Sequence, residues 1–267
     1  MQFPEIFRTK QGGKVKFVES NILSIVKELH LFYAPEATSS GILPPDEAIH
    51  AVRVLRMREG DSIHLTDGEG HFFTGHITQC SQKSCQFEID TCETVLPHWD
   101  GNIQIAVAPT KNIDRMEWFA EKAVEIGCDR ITFLSCQNSE RHVLKSERIE
   151  KIVISAMKQS HKAVLPQVDG LLTFRDYVAE PFDGVRCIAH CYADSDVGTA
   201  KRNLFDLVEK GRAVQVLVGP EGDFSLEEVH TALSAGFIPV SLGESRLRTE
   251  TAALVATHIM NLKMTLS

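Results

Sequence analysis

From Asn102 onward the chain alternates short, unbroken apolar runs with amphipathic stretches, and that alternation is the tightest constraint on its fold. Ile103 to Ala108, Ile131 to Leu134, Val185 to Ala189, Val214 to Val218 and Ile238 to Leu242 read as strands. Apolar runs without polar alternation belong in a sheet buried on both faces. Between them the period becomes helical. Phe119, Ala120, Ala123 and Val124 form a stripe behind an Asp114-x-x-Glu117 capping pattern, and Gly127 closes that helix. Ser146 to Gln159 is a second helix, with a shorter one around Leu204 to Glu209. Ser225-x-x-Glu228 caps another, and Thr249 starts the last. The pattern predicts an α/β unit over residues 102–267, a mainly parallel sheet covered by helices on both faces.

Residues 30–95 have a different rhythm. Leu31-Phe32-Tyr33 and Ser62 to Thr66 read as strands, and Asp67-Gly68-Glu69-Gly70 as a hairpin turn. Phe73, Gly75 and Ile77 alternate, as do Cys85, Phe87 and Ile89. Pro44-Pro45-Asp46 opens a helix that turns Ile49, Val52 and Leu55 inward. Several short, closely spaced strands suggest a small β-barrel. Residues 96–101, with Pro97 and Gly101, read as a linker whose Trp99 packs between the two units. Residues 1–29 receive no function; Glu19 to Leu29 fits a short amphipathic helix.

Composition excludes some classes and weakens others. No run reaches the roughly 18 apolar residues of a membrane span, and the N-terminus lacks a secretory layout. Seven cysteines without a dense framework fit a reducing cytoplasm. Cys187, His190 and Cys191 cluster, but a metal site needs a fourth ligand and better spacing, so no metal is expected. The net charge of −8 argues weakly against nucleic acid, although phosphate contacts are local. Basic groups do cluster, at Arg53, Arg56 and Arg58, at Lys145, Arg148 and Lys151, at Lys158, His161 and Lys162, and at Arg246 and Arg248. Each cluster taken singly reads as a solvated face.

Three segments carry the chemistry: Leu217-Val218-Gly219-Pro220-Glu221-Gly222, Leu242-Gly243, and Leu247-Arg248-Thr249-Glu250-Thr251-Ala252. Each follows a buried strand or opens a helix, where an α/β sheet places its ligand. The glycines let a ligand approach main chain, and a helix start that Thr249 can cap offers free N–H groups. Read singly, the first segment is equally a tight turn, and the third equally a cap with a surface Arg248–Glu250 pair. Neither G-x-G-x-x-G nor G-x-x-x-x-G-K-[ST] occurs, which disfavours a nicotinamide-dependent oxidoreductase.

Taken together these strings resemble the signature of the ribosomal RNA small subunit methyltransferase E family, within the knotted SPOUT methyltransferases. The resemblance extends to Lys111, Glu125-Ile126-Gly127, Ser139-Glu140-Arg141, Ala156-Met157-Lys158-Gln159-Ser160, Arg53-Val54-Leu55-Arg56-Met57 and the Asp67-Gly68 turn. It covers the chain from about residue 30 to the end. Where family members commonly show Glu-Gln-Cys-Gly-Arg, this chain has Lys158-Gln159-Ser160-His161-Lys162. The resemblance implies a PUA-like RNA-binding barrel followed by an α/β domain with a C-terminal trefoil knot. It implies a homodimer that uses S-adenosylmethionine to methylate N3 of uridine 1498 in 16S rRNA, in the decoding region of the 30S subunit. Carried over by motif, Gly219, Pro220, Glu221 and Gly222 line the adenosine. Leu217, Leu242, Gly243, Leu247, Thr249, Thr251 and Ala252 supply main-chain bonds and apolar walls, and His190 stands at a neighbouring strand end. Arg248, Glu250 and Glu221 are the catalytic candidates; Arg53, Arg56, Lys158 and Lys162 are the candidates for RNA phosphates. A knotted methyltransferase acting on another RNA and a non-catalytic assembly factor are the competing readings.

Overall fold

The computed structural model describes residues 30–266. The helix expected at Glu19 to Leu29 lies outside the described residues.

The first unit is built on a four-stranded sheet of order β1-β2-β3-β4. Its elements are β1 (Leu31–Tyr33), α1 (Ala37–Ser40), α2 (Pro45–Ile49), β2 (Ser62–Thr66), β3 (His71–Cys80) and β4 (Cys85–Thr94). β1 runs parallel to β2, and β2, β3 and β4 are antiparallel. An Ile42–Gln86 bridge continues the pairing beyond β4. The turn at Asp67–Gly70 forms as its residues dictate. Asp67 Oδ1 accepts from the N–H groups of Glu69 and His71, and Gly68 and Gly70 take positive φ.

One apolar stripe differs from expectation. After α2 the helix widens into a π-helical turn over His50–Val54. The extra residue per turn rotates the face. Ala48 and Ala51 point into the core, Val52 and Leu55 pack at its margin, and Ile49 is exposed. Arg53 and Arg56 are exposed on and just after this turn, and Arg56 takes a positive φ of 56°.

The second unit is a seven-stranded, wholly parallel sheet. In chain order it contains β5 (Asn102–Val107), α3 (Ile113–Ile126), β6 (Arg130–Ser135), α4 (Ser146–Gln159), β7 (Gln167–Thr173), α5 (Phe174–Ala179), β8 (Val185–Ala189), α6 (Asp194–Val197), β9 (Arg202–Asn203), α7 (Leu204–Leu207), β10 (Ala213–Val218), α8 (Leu226–Ser234), β11 (Ile238–Ser241) and α9 (Thr249–Leu266). The strand order is β7-β6-β5-β10-β8-β11-β9. Thus β10, late in the chain, inserts between β5 and β8 and puts the switch in winding direction at the sheet centre. One core packs α3, α4 and α9 on one face, with Phe119, Met157 and Met260 fully buried. A second packs α5 and α8 on the other, around Leu217, Phe224 and Tyr177.

The capping expectation for α3 shifts by two residues. Asn112, not Asp114, is the cap, its Oδ1 accepting from Asp114 N–H at 3.1 Å. At α8 the box closes as read, between Ser225 and Glu228. Trp99 packs inside the α/β core rather than between the units, and its indole N–H donates to Asp129 Oδ2 at 3.0 Å.

The units meet along a polar seam. Leu165 N–H donates to Gly68 O, Gly70 N–H donates to Ala163 O, and Thr66 Oγ1 donates to Ala163 O. Beside them Lys158 Nζ donates to Glu47 Oε1, while Glu47 Oε2 is buried without a hydrogen-bond partner. Breaking a desolvated pair strands the surviving charge. Glu47→Gln is therefore expected to destabilise the chain by about 2 kcal/mol in chemical denaturation, and the Glu47→Leu/Lys158→Met double variant to recover most of that loss.

Candidate active site

The carboxyl ends of β8, β10 and β11 open into a single cleft of about 810 Å³, within the range of ligand pockets. Three loops form its walls. Val218 ends β10, and Gly219, Pro220, Glu221 and Asp223 follow it; Ser241 ends β11, and Leu242 to Arg248 follow it; His190 and Cys191 follow β8. Thr249 and Ala252, at the start of α9, close one end, and Arg115 from α3 reaches in from the side.

The β10 loop is held from several directions. Asp223 takes a positive φ of 64°, which aspartate tolerates better than most residues. Its Oδ2 accepts from Cys191 N–H at 2.7 Å and its Oδ1 from Phe224 N–H at 2.7 Å. That one carboxylate ties the β10 loop to the β8 loop. Asn138 Nδ2 donates to Asp223 O at 3.1 Å, and Glu221 Oε1 accepts from Lys111 N–H at 3.0 Å. Gly219 is required sterically, since a Cβ there would stand 2.9 Å from Phe224 N. Gly243, in the facing loop, has a φ of +124° with nothing near its missing side chain.

His190 is 8% exposed, and neither ring nitrogen has a hydrogen-bond partner. Buried imidazole nitrogens are ordinarily hydrogen-bonded, so His190 stands out on this wall. Burial first, and the Lys201 charge second, hold its pKa below 6.5, while Asp223 and Asp194 pull it back up. With the folded pKa depressed, the stability from the neutral ring is complete above about pH 6.5 and is lost as pH falls through the lower folded value. The stability difference between wild type and His190→Asn should therefore narrow from about pH 7 to about pH 5; thermal denaturation across that range measures it.

His190, Gly219, Pro220, Glu221, Leu242, Gly243, Leu247, Arg248, Thr249 and Ala252 all line the cleft. Four sequence candidates lie elsewhere. Leu217 is fully buried in β10, its backbone in the ladder between β5 and β8. Gly222 faces Asn138 across the turn, and Thr251 lies on the first turn of α9 away from the wall. Glu250 is 7% exposed, with Oε1 3.6 Å from Arg115 Nη1 and Oε2 unpaired. Arg248 itself stands at the cap position, its carbonyl accepting from Ala252 N–H at 2.7 Å, so Thr249 is the first helical residue rather than the cap. Of the phosphate candidates, Arg53 and Arg56 are exposed. Lys158 is engaged by Glu47, and burial pushes the Lys162 ammonium below the usual lysine range.

Sequence reading missed Arg115, Lys201 and Asp223 as wall residues. Arg115 lies one turn into a helix far from the loop motifs, and nothing in its local pattern marks it. Asp223 directly follows Gly222, and a polar residue extending a glycine turn was the available signal.

Residues 97–261 match the RNA methyltransferase domain family, and residues 43–90 match the RNA methyltransferase PUA domain. A ribosomal RNA small subunit methyltransferase E of Mycobacterium bovis is 29% identical over 238 residues, covering 85% of this chain and 88% of its own. A crystal structure of a probable rRNA-methyltransferase from Porphyromonas gingivalis is 48% identical, with a TM-score of 0.82, covering 88% of this chain and 98% of that one. The ribosomal RNA small subunit methyltransferase E of Neisseria gonorrhoeae, solved bound to S-adenosyl methionine, is 30% identical with a TM-score of 0.76, covering 88% and 97%. By these matches, and by the loop strings that line its cleft, the chain belongs to the ribosomal RNA small subunit methyltransferase E family.

Proposed function

We propose that this protein transfers a methyl group from S-adenosylmethionine to N3 of a uridine in 16S rRNA, uridine 1498 in the decoding region of the 30S subunit. The observation that carries the reading is the convergence of three main-chain loops and Arg248 on one cleft, in a family whose Neisseria relative was solved with that cofactor. The walls fit it. Gly219, Pro220 and Leu242 line it with apolar surface and main chain suited to a nucleoside, and the unpaired His190 offers one donor and one acceptor. When bound, the cofactor supplies an activated methyl group on sulfonium.

The chain's own residues must align the uridine and lower the cost of its proton. Uridine N3 loses its proton roughly two pH units above neutral, so the anion costs about 3 kcal/mol at pH 7. Arg248, exposed at the cleft mouth, is placed to stabilise charge developing on the uracil carbonyl oxygens. Glu250 is buried against Arg115, so it serves by holding that guanidinium at the wall. Glu221, bonded to Lys111 N–H, locks the loop. The proton therefore passes to solvent or to Glu221, an exposed carboxylate on the cleft wall.

Arg53 and Arg56, free at the surface, are the phosphate contacts in this reading. Residues 30–95 are the RNA-holding unit, 96–101 the linker, and 102–267 a SPOUT methyltransferase unit with a C-terminal trefoil knot. The insertion of β10 between β5 and β8, and the gathering of the β10 and β11 loops at one cleft, support that threading. A homodimer in the cytoplasm would bring two such basic turns to one RNA, a local positive field on a chain whose net charge is −8. Removing Arg53 should reduce the slope of log affinity against log salt by about one unit; an unchanged slope counts against the contact.

The test is transfer of isotopically labelled methyl from S-adenosylmethionine to 30S subunits, followed by nucleoside analysis. Labelled 3-methyluridine in 16S rRNA supports the reading. Cofactor binding without transfer points to another RNA, and absence of cofactor binding contradicts it.

A further inference from the structure

The far end of the β3–β4 hairpin carries two thiols that nothing in the proposed reaction uses. Cys80 closes β3, Cys85 opens β4, and they are direct partners in the register. Their Sγ atoms lie 3.2 Å apart. Cys85 is buried in the core of the first unit, and Cys80 is half-buried at its margin.

The hydrogen-bond pattern explains the proximity. Ser81 N–H donates to Ser84 O at 2.8 Å, so Ser81 and Ser84 form the hydrogen-bonded pair. Antiparallel pairs alternate, which makes Cys80–Cys85 a non-hydrogen-bonded pair, with Cα atoms about 4.5 Å apart and side chains on the same face. That spacing lies within the roughly 4.4–6.8 Å that a disulfide needs.

We propose that Cys80 and Cys85 are a reversible redox-modification site, closing to a disulfide on exposure to a peroxide. The more accessible Cys80 attacks a peroxide oxygen, the O–O bond breaks, and a sulfenic acid forms with release of water. Cys85 sulfur then attacks Cys80 sulfur. The S–S bond forms, the S–O bond breaks, and hydroxide leaves with the Cys85 proton as a second water. Two thiols are oxidised by two electrons in all, and one hydrogen peroxide is reduced to two waters. A dithiol reductant reverses the change. Burial, reinforced by the Cys80 neighbour, pushes the Cys85 thiol up to about 12, so Cys80 is the sulfur that meets the peroxide first.

The location gives the crosslink a consequence. Leu43 N–H donates to Cys85 O, and Phe87 N–H donates to Gly41 O, both at 2.9 Å. The hairpin end thus anchors the segment entering α2 and the turn that bears Arg53. No residue of this unit lines the cofactor cleft, so oxidation should leave cofactor affinity unchanged. The site holds whether or not the RNA assignment does.

The experiment treats the full chain with limiting hydrogen peroxide, alkylates the remaining thiols, and digests with trypsin plus a glutamate-specific protease. Cuts after Lys83 and Glu88 place Cys80, Cys85 and Cys92 on three separate peptides. The expected product is a Cys80–Cys85 linked pair that dithiothreitol separates, formed before the exposed Cys92 and Cys191 are oxidised. Cys85→Ser should abolish the linked pair and leave Cys80 as a sulfenic acid trapped by dimedone. If Cys92 and Cys191 oxidise while Cys80 and Cys85 stay open to alkylation, the proposal is overturned. The wild-type peptide map decides this even if the variant fails to fold.

Discussion

Arg248→Ala is expected to slow single-turnover methyl transfer about 100-fold while leaving cofactor affinity within about twofold. Arg248 lines the cleft, is exposed, and has no carboxylate within ion-pair distance among the described residues. Arg115, the other arginine on the wall, is tied to Glu250. An unpaired guanidinium at the mouth is available to a developing anion, and a preorganised donor of that kind is worth about 3 kcal/mol in mutagenesis. The role has a pH signature. If Arg248 eases loss of the N3 proton, the alanine variant should recover rate as pH rises and the uridine ionises unaided, narrowing its deficit by about tenfold per pH unit until N3 is deprotonated. Arg248→Lys, which keeps the charge but loses the planar fork, should fall between the two. Full single-turnover activity in Arg248→Ala would remove Arg248 from the chemistry.

Gly127→Ala is expected to cost about 3–4 kcal/mol of stability, from left-handed strain together with overpacking. Gly127 follows α3 with a φ of +119°. A Cβ there would stand 2.5 Å from the Trp99 ring and 2.7 Å from Asn261 Nδ2. Neither neighbour is free to yield. Trp99 is held by Asp129, and Asn261 Nδ2 donates to Gly127 O at 3.3 Å. Gly198→Ala is the control, with a φ of +76° and open space around the position; it should cost only about 1 kcal/mol. Equal losses from the two variants in urea denaturation would show that conformational strain, not the packing at Trp99, sets the requirement for glycine.

Periodicity carried much of the fold. Five buried strands of the α/β sheet were legible because their apolar runs are continuous, and α8 because both partners of its capping box lie in the sequence. β7 and α5 were not. Gln167–Thr173 lies at the sheet edge with Asp169 and Gly170 inside it, so no apolar run marks it. The π-helical turn was equally hidden, since a one-residue widening leaves composition unchanged and still moves Ile49 outward. At the site, motif strings led to ten wall residues because backbone loops after strands are local in sequence. They failed where tertiary partners decide the outcome. Glu250 is sequestered by Arg115 and Lys158 by Glu47, and neither partner is near in sequence. Lys162 reads as a surface cation until its burial is seen.

A methyl group on one ring nitrogen of one uridine is a product that primer extension reads directly. The purified protein is incubated with S-adenosylmethionine and 30S subunits from cells lacking the activity, and reverse transcription is run across the decoding region. A methyl on N3 blocks Watson–Crick pairing, so a new cofactor-dependent stop at uridine 1498 is the predicted result. Read-through at that uridine, with the cofactor bound and the subunits intact, would contradict it.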